Sequence, residues 1–175
     1  FATCHRAHAS TCGVANFAPV ACAGPLLVEE LDAFDRAMKS PQRPLLAIVG
    51  GAKVSTKIHL LESLIPQVDS LIVGGGIINT VLLAQGFAIG DSLCEPDCVD
   101  QAKRLLAMAK EHNVEWPMPI DVVVAKEFSE SARTEIRLLQ DVKSDEQILD
   151  IGPQTIAAYE AVVSKAGTIL WNGPV

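Results

Sequence analysis

The sequence predicts an α/β domain: a three-layer, doubly wound, mostly parallel sheet with helices on its faces. Three observations lead there. Short apolar runs alternate with stretches of helical periodicity along residues 45–171. Turn glycines follow the runs that end at Val49, Val73 and Trp171. Hydrophobic residues make up 49% of the chain but aromatic ones only 5%, so the core must be aliphatic, as in a parallel sheet buried on both sides.

Residues 1–25 show no clear periodicity and carry Gly13, Pro19, Gly24 and Pro25, the composition of a loop-rich remnant. Over 26–39, Leu27, Leu31, Phe34 and Met38 recur at helical spacing while Glu29, Glu30, Asp32 and Asp35 fall elsewhere, and Ser40-Pro41 stops the helix. Leu45–Val49 reads as a strand, and Val54–Ile65 as a helix with Ile58, Leu61 and Ile65 on one face, ended by Pro66. Ser70–Val73 is the next strand; Gly74-Gly75-Gly76 turns into a helix through Ala84, closed by Gly86. Pro96–His112 is helical with Val99, Ala102, Leu106 and Ala109 inward, and its acidic start and basic end suit the helix dipole. Ile120–Ala125 is a strand, 126–147 is polar and ambiguous, and Ile148–Ile151 is a short strand. Pro153 suits the first turn of a helix to Lys165, and Thr168–Trp171 is the last strand before Asn172-Gly173-Pro174-Val175.

At 175 residues the chain is long enough for one domain with a real core. A net charge of −7 and a pI near 5.0 argue against a broad nucleic-acid surface, yet a few local cations still suit a small anion. No apolar run reaches bilayer length and none reads as a signal peptide, so no membrane partner is expected. The chain begins at Phe1 rather than Met, and its start is expected upstream. The five cysteines form no secreted framework, which points to a reducing cytoplasm.

In open α/β sheets, ligands bind beyond the carboxyl ends of the strands, where Gly50-Gly51, Gly74–Gly76 and Asn172-Gly173-Pro174 all lie. In Gly50–Lys57, two glycines allow close backbone approach, and Lys53 and Lys57, four apart, fall on one face of an opening helix turn. Bare helix N–H groups with two cations suit a polyphosphate. The spacing is not that of a Walker A loop, and an ordinary turn with two solvated lysines is the plain alternative. Gly74–Asn79 half-matches a dinucleotide fingerprint, but Glu95, at the right distance for a ribose acid, does not close a strand, and a dinucleotide is disfavoured. Cys4, His5, His8 and Cys12 are potential zinc ligands, as are Cys94 and Cys98; neither group has a C-x-x-C knuckle, and no metal site is assigned. Trp171 is expected in the core or the crevice wall.

Seven ordered segments together resemble the phosphoglycerate kinase family, in its bacterial form. They are Phe1-Ala2-Thr3-Cys4-His5-Arg6-Ala7-His8, Phe17-Ala18-Pro19, Ala23-Gly24-Pro25-Leu26-Leu27, Arg43-Pro44, Ile48–Lys57, Val73–Gly76 and Ile169–Val175. The resemblance implies a glycolytic phosphoryl transfer from 1,3-bisphosphoglycerate to MgADP, giving 3-phosphoglycerate and MgATP. It works by positioning and charge neutralisation without a general base. It implies that Arg6 binds the phosphoglycerate and that Lys57, assisted by Lys53, contacts the transferring phosphoryl. Gly51, Gly74, Gly75 and Leu149 would border the nucleoside, with Asn172 and Pro174 on the opposite wall. The cofactor implied is magnesium carried with ATP or ADP, its ligand expected outside this segment.

The same resemblance divides the chain into 1–25, the end of a phosphoglycerate-binding domain; 26–40, an interdomain helix; and 41–175, a nucleotide domain cut at its C-terminal end. An internal piece of this kind is expected to be inactive alone, with an exposed sheet edge and the helix face from Leu27 to Met38 favouring self-association; the intact enzyme is implied to be a monomer. Ala2 and Cys4 depart from the family's usual Gly and Ala beside Arg6. The alternatives are a non-enzymatic nucleotide-binding α/β module and, third, a zinc-binding interaction module.

Overall fold

The structure is a computed structural model that describes residues 7–173, and the chain divides into two compact units, 1–41 and 42–175. The first unit holds a 3-10 turn, Gly13–Asn16, and helix α1, Pro25–Lys39. Pro25 sits at the first helical position, where its missing N–H costs nothing. Lys39 pairs with Asp35 one turn back at 2.6 Å. Leu31 and Phe34 of the apolar stripe are 52% and 56% exposed.

The second unit is built on a parallel sheet of β1 (Leu45–Gly50), β2 (Ser70–Gly74) and β6 (Thr168–Asn172), in the order β2-β1-β6. Ala47 faces Leu71 on one side and Leu170 on the other, so the strands end together at Gly50, Gly74 and Asn172. Leu45, Ala47, Val49, Leu71 and Val73 on one face are almost wholly buried. On the other face Leu46 and Ile72 pack with Tyr159 and Val162 of α5 (Pro153–Val163). Helices α2 (Ile58–Leu64), α3 (Gly76–Ala84) and α4 (Val99–Glu111) pack together, with α3 against β2. This is the expected α/β class with a parallel sheet. Among the described residues, no helix is long and apolar enough to cross a membrane.

Details differ from the sequence reading in three places. Val54–Thr56 and Pro96–Cys98 are 3-10 turns rather than the first turns of α2 and α4. In α4 the deeply buried leucine is Leu105, while Leu106 is half-buried. The strands at 121–125 and 147–151 do not join the parallel sheet. They form a second, antiparallel sheet, β4-β3-β5, with a short strand Glu135–Leu138 as β4. A parallel pair needs a crossover, usually a helix, and the segment between β3 and β5 has only strand, turn and a 3-10 helix. The sequence carries little signal for β4, because Glu135 and Arg137 interrupt Ile136 and Leu138 in a four-residue strand. Arg137 pays back its charge there by pairing with Glu135 at 2.6 Å and Glu146 at 3.0 Å.

Asp121 joins this second sheet to α5. It is 1% exposed, and its carboxylate accepts the N–H groups of Gln154 and Thr155 and the Thr155 hydroxyl at 2.8–3.1 Å. It therefore satisfies orphan donors in the first turn of α5. Burial pushes its carboxyl up, but the N–H groups of Thr155 and Gln154 outweigh that and hold it below the usual carboxylate range. A depressed carboxyl adds stability that is fully present above its unfolded value and is lost as pH falls through its folded one. Asp121→Asn is therefore expected to lower stability by about 1–3 kcal/mol at neutral pH. The loss should shrink below the ordinary carboxylate range, as seen in denaturant midpoints measured against pH. A pH-independent loss would refute the linkage.

Candidate functional site

Three glycine-rich turns meet at the carboxyl ends of β1, β2 and β6. Gly75 has φ +70°, and a Cβ there would stand 2.6 Å from the Gly51 carbonyl oxygen. A Cβ on Gly76 would collide with the Ala52 carbonyl oxygen, and one on Gly173 would lie 2.9 Å from the Gly50 nitrogen. The Ile77 N–H closes the join by donating to Gly51 O at 3.2 Å. The three turns predicted to share one crevice are thus in backbone contact, and only residues without side chains permit it.

Beside them opens a cavity of about 780 Å³, within the range of small-molecule sites. Gly51, Gly74, Gly75 and Leu149, which the resemblance assigns to a nucleoside border, are among the residues that line it. Leu82, Val122 and Tyr159 add apolar wall, and burial pushes the Tyr159 hydroxyl up to about 12, so it stays neutral. Trp171, 55% exposed, is a crevice wall rather than core. Phe128, 88% exposed, also lines the cavity and was missed. The available signal was a lone aromatic in the polar 126–147 stretch.

Lys57 lies at the junction of the 3-10 turn and α2, and its Cε is 3.7 Å from where a Gly51 Cβ would stand. Its Nζ donates to Asn172 Oδ1 at 2.7 Å, so two predicted residues 115 positions apart meet at this end of the sheet. Lys53 is different. Its backbone is extended, at φ −130° and ψ 124°, and the residue is exposed. The two lysines therefore do not share a face of an opening helical turn; the 3-10 turn between them breaks the four-residue register. Glu95 closes no strand and instead precedes the 3-10 turn Pro96–Cys98; its carboxylate accepts from Ser55, and those bonds, with the Lys53 charge adding, hold it below the usual carboxylate range. Arg6 and Pro174 lie outside the described residues, as do Ala2, Cys4 and His5.

Among the described residues, no three His, Cys, Asp or Glu side chains are grouped to hold a metal ion. Cys12, Cys22, Cys94 and Cys98 are free thiols.

The profile of the family described as phosphoglycerate kinase matches residues 1–175. The phosphoglycerate kinase of Coxiella burnetii (strain RSA 493 / Nine Mile phase I) is 56% identical over 175 residues, all of this chain and 45% of that protein. That of Legionella pneumophila (strain Corby) is 55% identical over all of this chain and 44% of that protein. The solved structure of phosphoglycerate kinase from Coxiella burnetii superposes with a TM-score of 0.91, over 99% of this chain and 45% of that one. The enzyme from Pyrococcus horikoshii OT3 superposes with a TM-score of 0.80 at 28% identity, over 99% of this chain and 44% of that one. The chain thus spans less than half the length of these relatives. With a profile match over every residue and more than half of its positions identical to two bacterial relatives, the chain belongs to the phosphoglycerate kinase family.

Proposed function

We propose that the protein containing this chain transfers a phosphoryl group between 1,3-bisphosphoglycerate and ADP, yielding 3-phosphoglycerate and ATP. The observation that carries the proposal is the Lys57 ammonium, set 2.7 Å from Asn172 Oδ1 beside the glycine turns that border an apolar cavity. The cavity suits a nucleobase, and the cation beside it suits the phosphates. In the transfer, the bond from phosphorus to the acyl oxygen breaks as one to a β-phosphate oxygen of ADP forms. 3-Phosphoglycerate leaves as a carboxylate, so no proton moves and no general base is needed.

In this reading Gly51, Gly74, Gly75 and Leu149 bound the nucleoside, with Asn172 and Pro174 opposite. Lys57 neutralises charge on the transferring group, Lys53 adds to the local field, and Arg6 binds the phosphoglycerate. Magnesium accompanies the nucleotide as part of the substrate, and no step is assigned to it. The boundaries 1–25, 26–40 and 41–175 are proposed as domain end, interdomain helix and nucleotide domain. The working species is proposed to be a monomer, in the cytoplasm, where the free thiols are at home.

The test is turnover by the full-length protein with MgATP and 3-phosphoglycerate, and its dependence on both. Nucleotide binding without turnover would instead favour a non-enzymatic nucleotide-binding module. Trp171 offers an independent reading. Nucleotide is expected to change tryptophan emission saturably, and Trp171→Phe to remove that change, because the ring is exposed at the cavity wall. Unchanged emission at saturating nucleotide would place the base elsewhere.

A further inference from the structure

Glu95 has no task in the phosphoryl-transfer reading, yet it is tied down at both ends. Its carboxylate accepts twice from Ser55: the N–H at 2.9 Å and the hydroxyl at 2.6 Å, one on each oxygen. Its own N–H donates to Thr80 Oγ1 at 3.0 Å. Thr80 is wholly buried in α3, and its hydroxyl donates onward to the Gly76 carbonyl at 3.3 Å. Two residues earlier the strap is fastened again, where Asn79 Nδ2 donates to Leu93 O at 3.1 Å. Residues 93–95 are thus fixed to the helix that opens from the glycine turn, and from there a carboxylate reaches Ser55.

Ser55 stands midway between Lys53 and Lys57 in an exposed loop. Besides the bond from Lys57 Nζ to Asn172 Oδ1, that loop is held by the buried Val54 and by local bonds, Thr56 Oγ1 to Lys53 O and Lys57 N–H to Val54 O, at 2.8 Å each. A buried valine fixes depth but not orientation. A two-point, charge-assisted clamp fixes both. A cation that must meet a transferring phosphoryl group needs a placement much finer than an exposed loop keeps by itself.

We propose that Glu95 is a positioning residue for phosphoryl transfer: it clamps Ser55 to α3 so that the loop from Lys53 to Lys57 presents its cations to the nucleotide phosphates. The inference rests on the phosphoryl-transfer reading. Glu95 does not itself meet the phosphates, which its charge would repel. Both its oxygens are turned onto Ser55 instead.

The test uses the full-length protein with Glu95→Ala, Glu95→Gln and Ser55→Ala. Glu95→Ala is expected to lower kcat/KM for the nucleotide by about 10- to 100-fold, the cost of a misplaced catalytic group, with KM for 3-phosphoglycerate unchanged. Glu95→Gln keeps an acceptor and gains a donor for the Ser55 hydroxyl, and is expected to recover most of the loss. Parent-like nucleotide kinetics in Glu95→Ala would overturn the proposal. So would equal rises in both KM values with a lowered melting temperature, the mark of a merely structural role. Should Glu95→Ala fail to fold, Ser55→Ala at the exposed end carries the test: a selective loss for nucleotide supports the clamp, and none overturns it. Amide hydrogen exchange at Ser55 separates this inference from the function it rests on, since it needs no substrate. Faster exchange in Glu95→Ala with an inactive parent keeps the clamp and removes the phosphoryl-transfer reading; unchanged exchange removes the clamp whatever the activity.

Discussion

Lys57→Ala in the full-length protein is expected to lower turnover by about 10²–10³-fold while leaving the fold intact, by analogy with the loss of one preorganised donor at a transition state. The side chain passes beside Gly51 and ends on Asn172, so removing it takes a positive charge from beside the glycine turns but no wall of the cavity. Its partner, a neutral amide, is half-exposed and can turn to water, so the folding cost is small. In the proposed transfer, charge on the phosphoryl group is redistributed in the transition state, so the loss should fall mainly on kcat. Lys53→Ala, at an exposed and extended position, is expected to cost less. Steady-state kinetics with both substrates, together with denaturant midpoints, check this. Near-parent turnover in Lys57→Ala would sink the assignment of Lys57.

The three consecutive glycines make the second large prediction, and they should respond unequally. A Cβ on Gly74 meets nothing within 4 Å, so Gly74→Ala is expected to leave stability within about 1 kcal/mol of the parent. Gly75→Ala suffers twice, from φ +70° and from a Cβ 2.6 Å from the Gly51 carbonyl oxygen. Gly76→Ala has an ordinary helical backbone but would drive its methyl into the Ala52 carbonyl oxygen, with Leu93 behind at 3.2 Å. The obstacle at both positions is backbone of the Gly50–Lys57 turn, which cannot rotate away as a side chain can. Each of the two is expected to cost about 2–4 kcal/mol and to weaken nucleotide binding, because relief requires the two turns to separate. Equal denaturant midpoints for all three variants would show that the turns do not touch as described.

Much of the site was legible in the sequence because strand ends announce themselves. Val49, Val73 and Trp171 close apolar runs and are followed by turn residues, and parallel strands joined by crossovers place their carboxyl ends on one side. That reasoning brought Gly51, Gly74, Gly75 and Asn172 to one end of the sheet. The geometry of Lys53 was not legible. Four-residue spacing matches an α-helix, but Val54–Thr56 closes as a 3-10 turn, and nothing in those side chains separates the two locally. Leu149 was named through family resemblance rather than pattern, and the structure sets it in the cavity lining.

The sequence by itself determined the α/β class, the strands at 45–49, 70–73 and 168–171, the main helices and the glycine turns at the strands' carboxyl ends. These follow from periodicity and turn chemistry, which are local properties of the chain. Only the tertiary structure decided the antiparallel pairing of Val122 with Arg137 and Ile151, the bond from Lys57 to Asn172, and the clamp from Glu95 to Ser55. Each joins groups from separate elements through directional hydrogen bonds. Such partners are selected by the packing of the elements that carry them, and no local pattern records that choice.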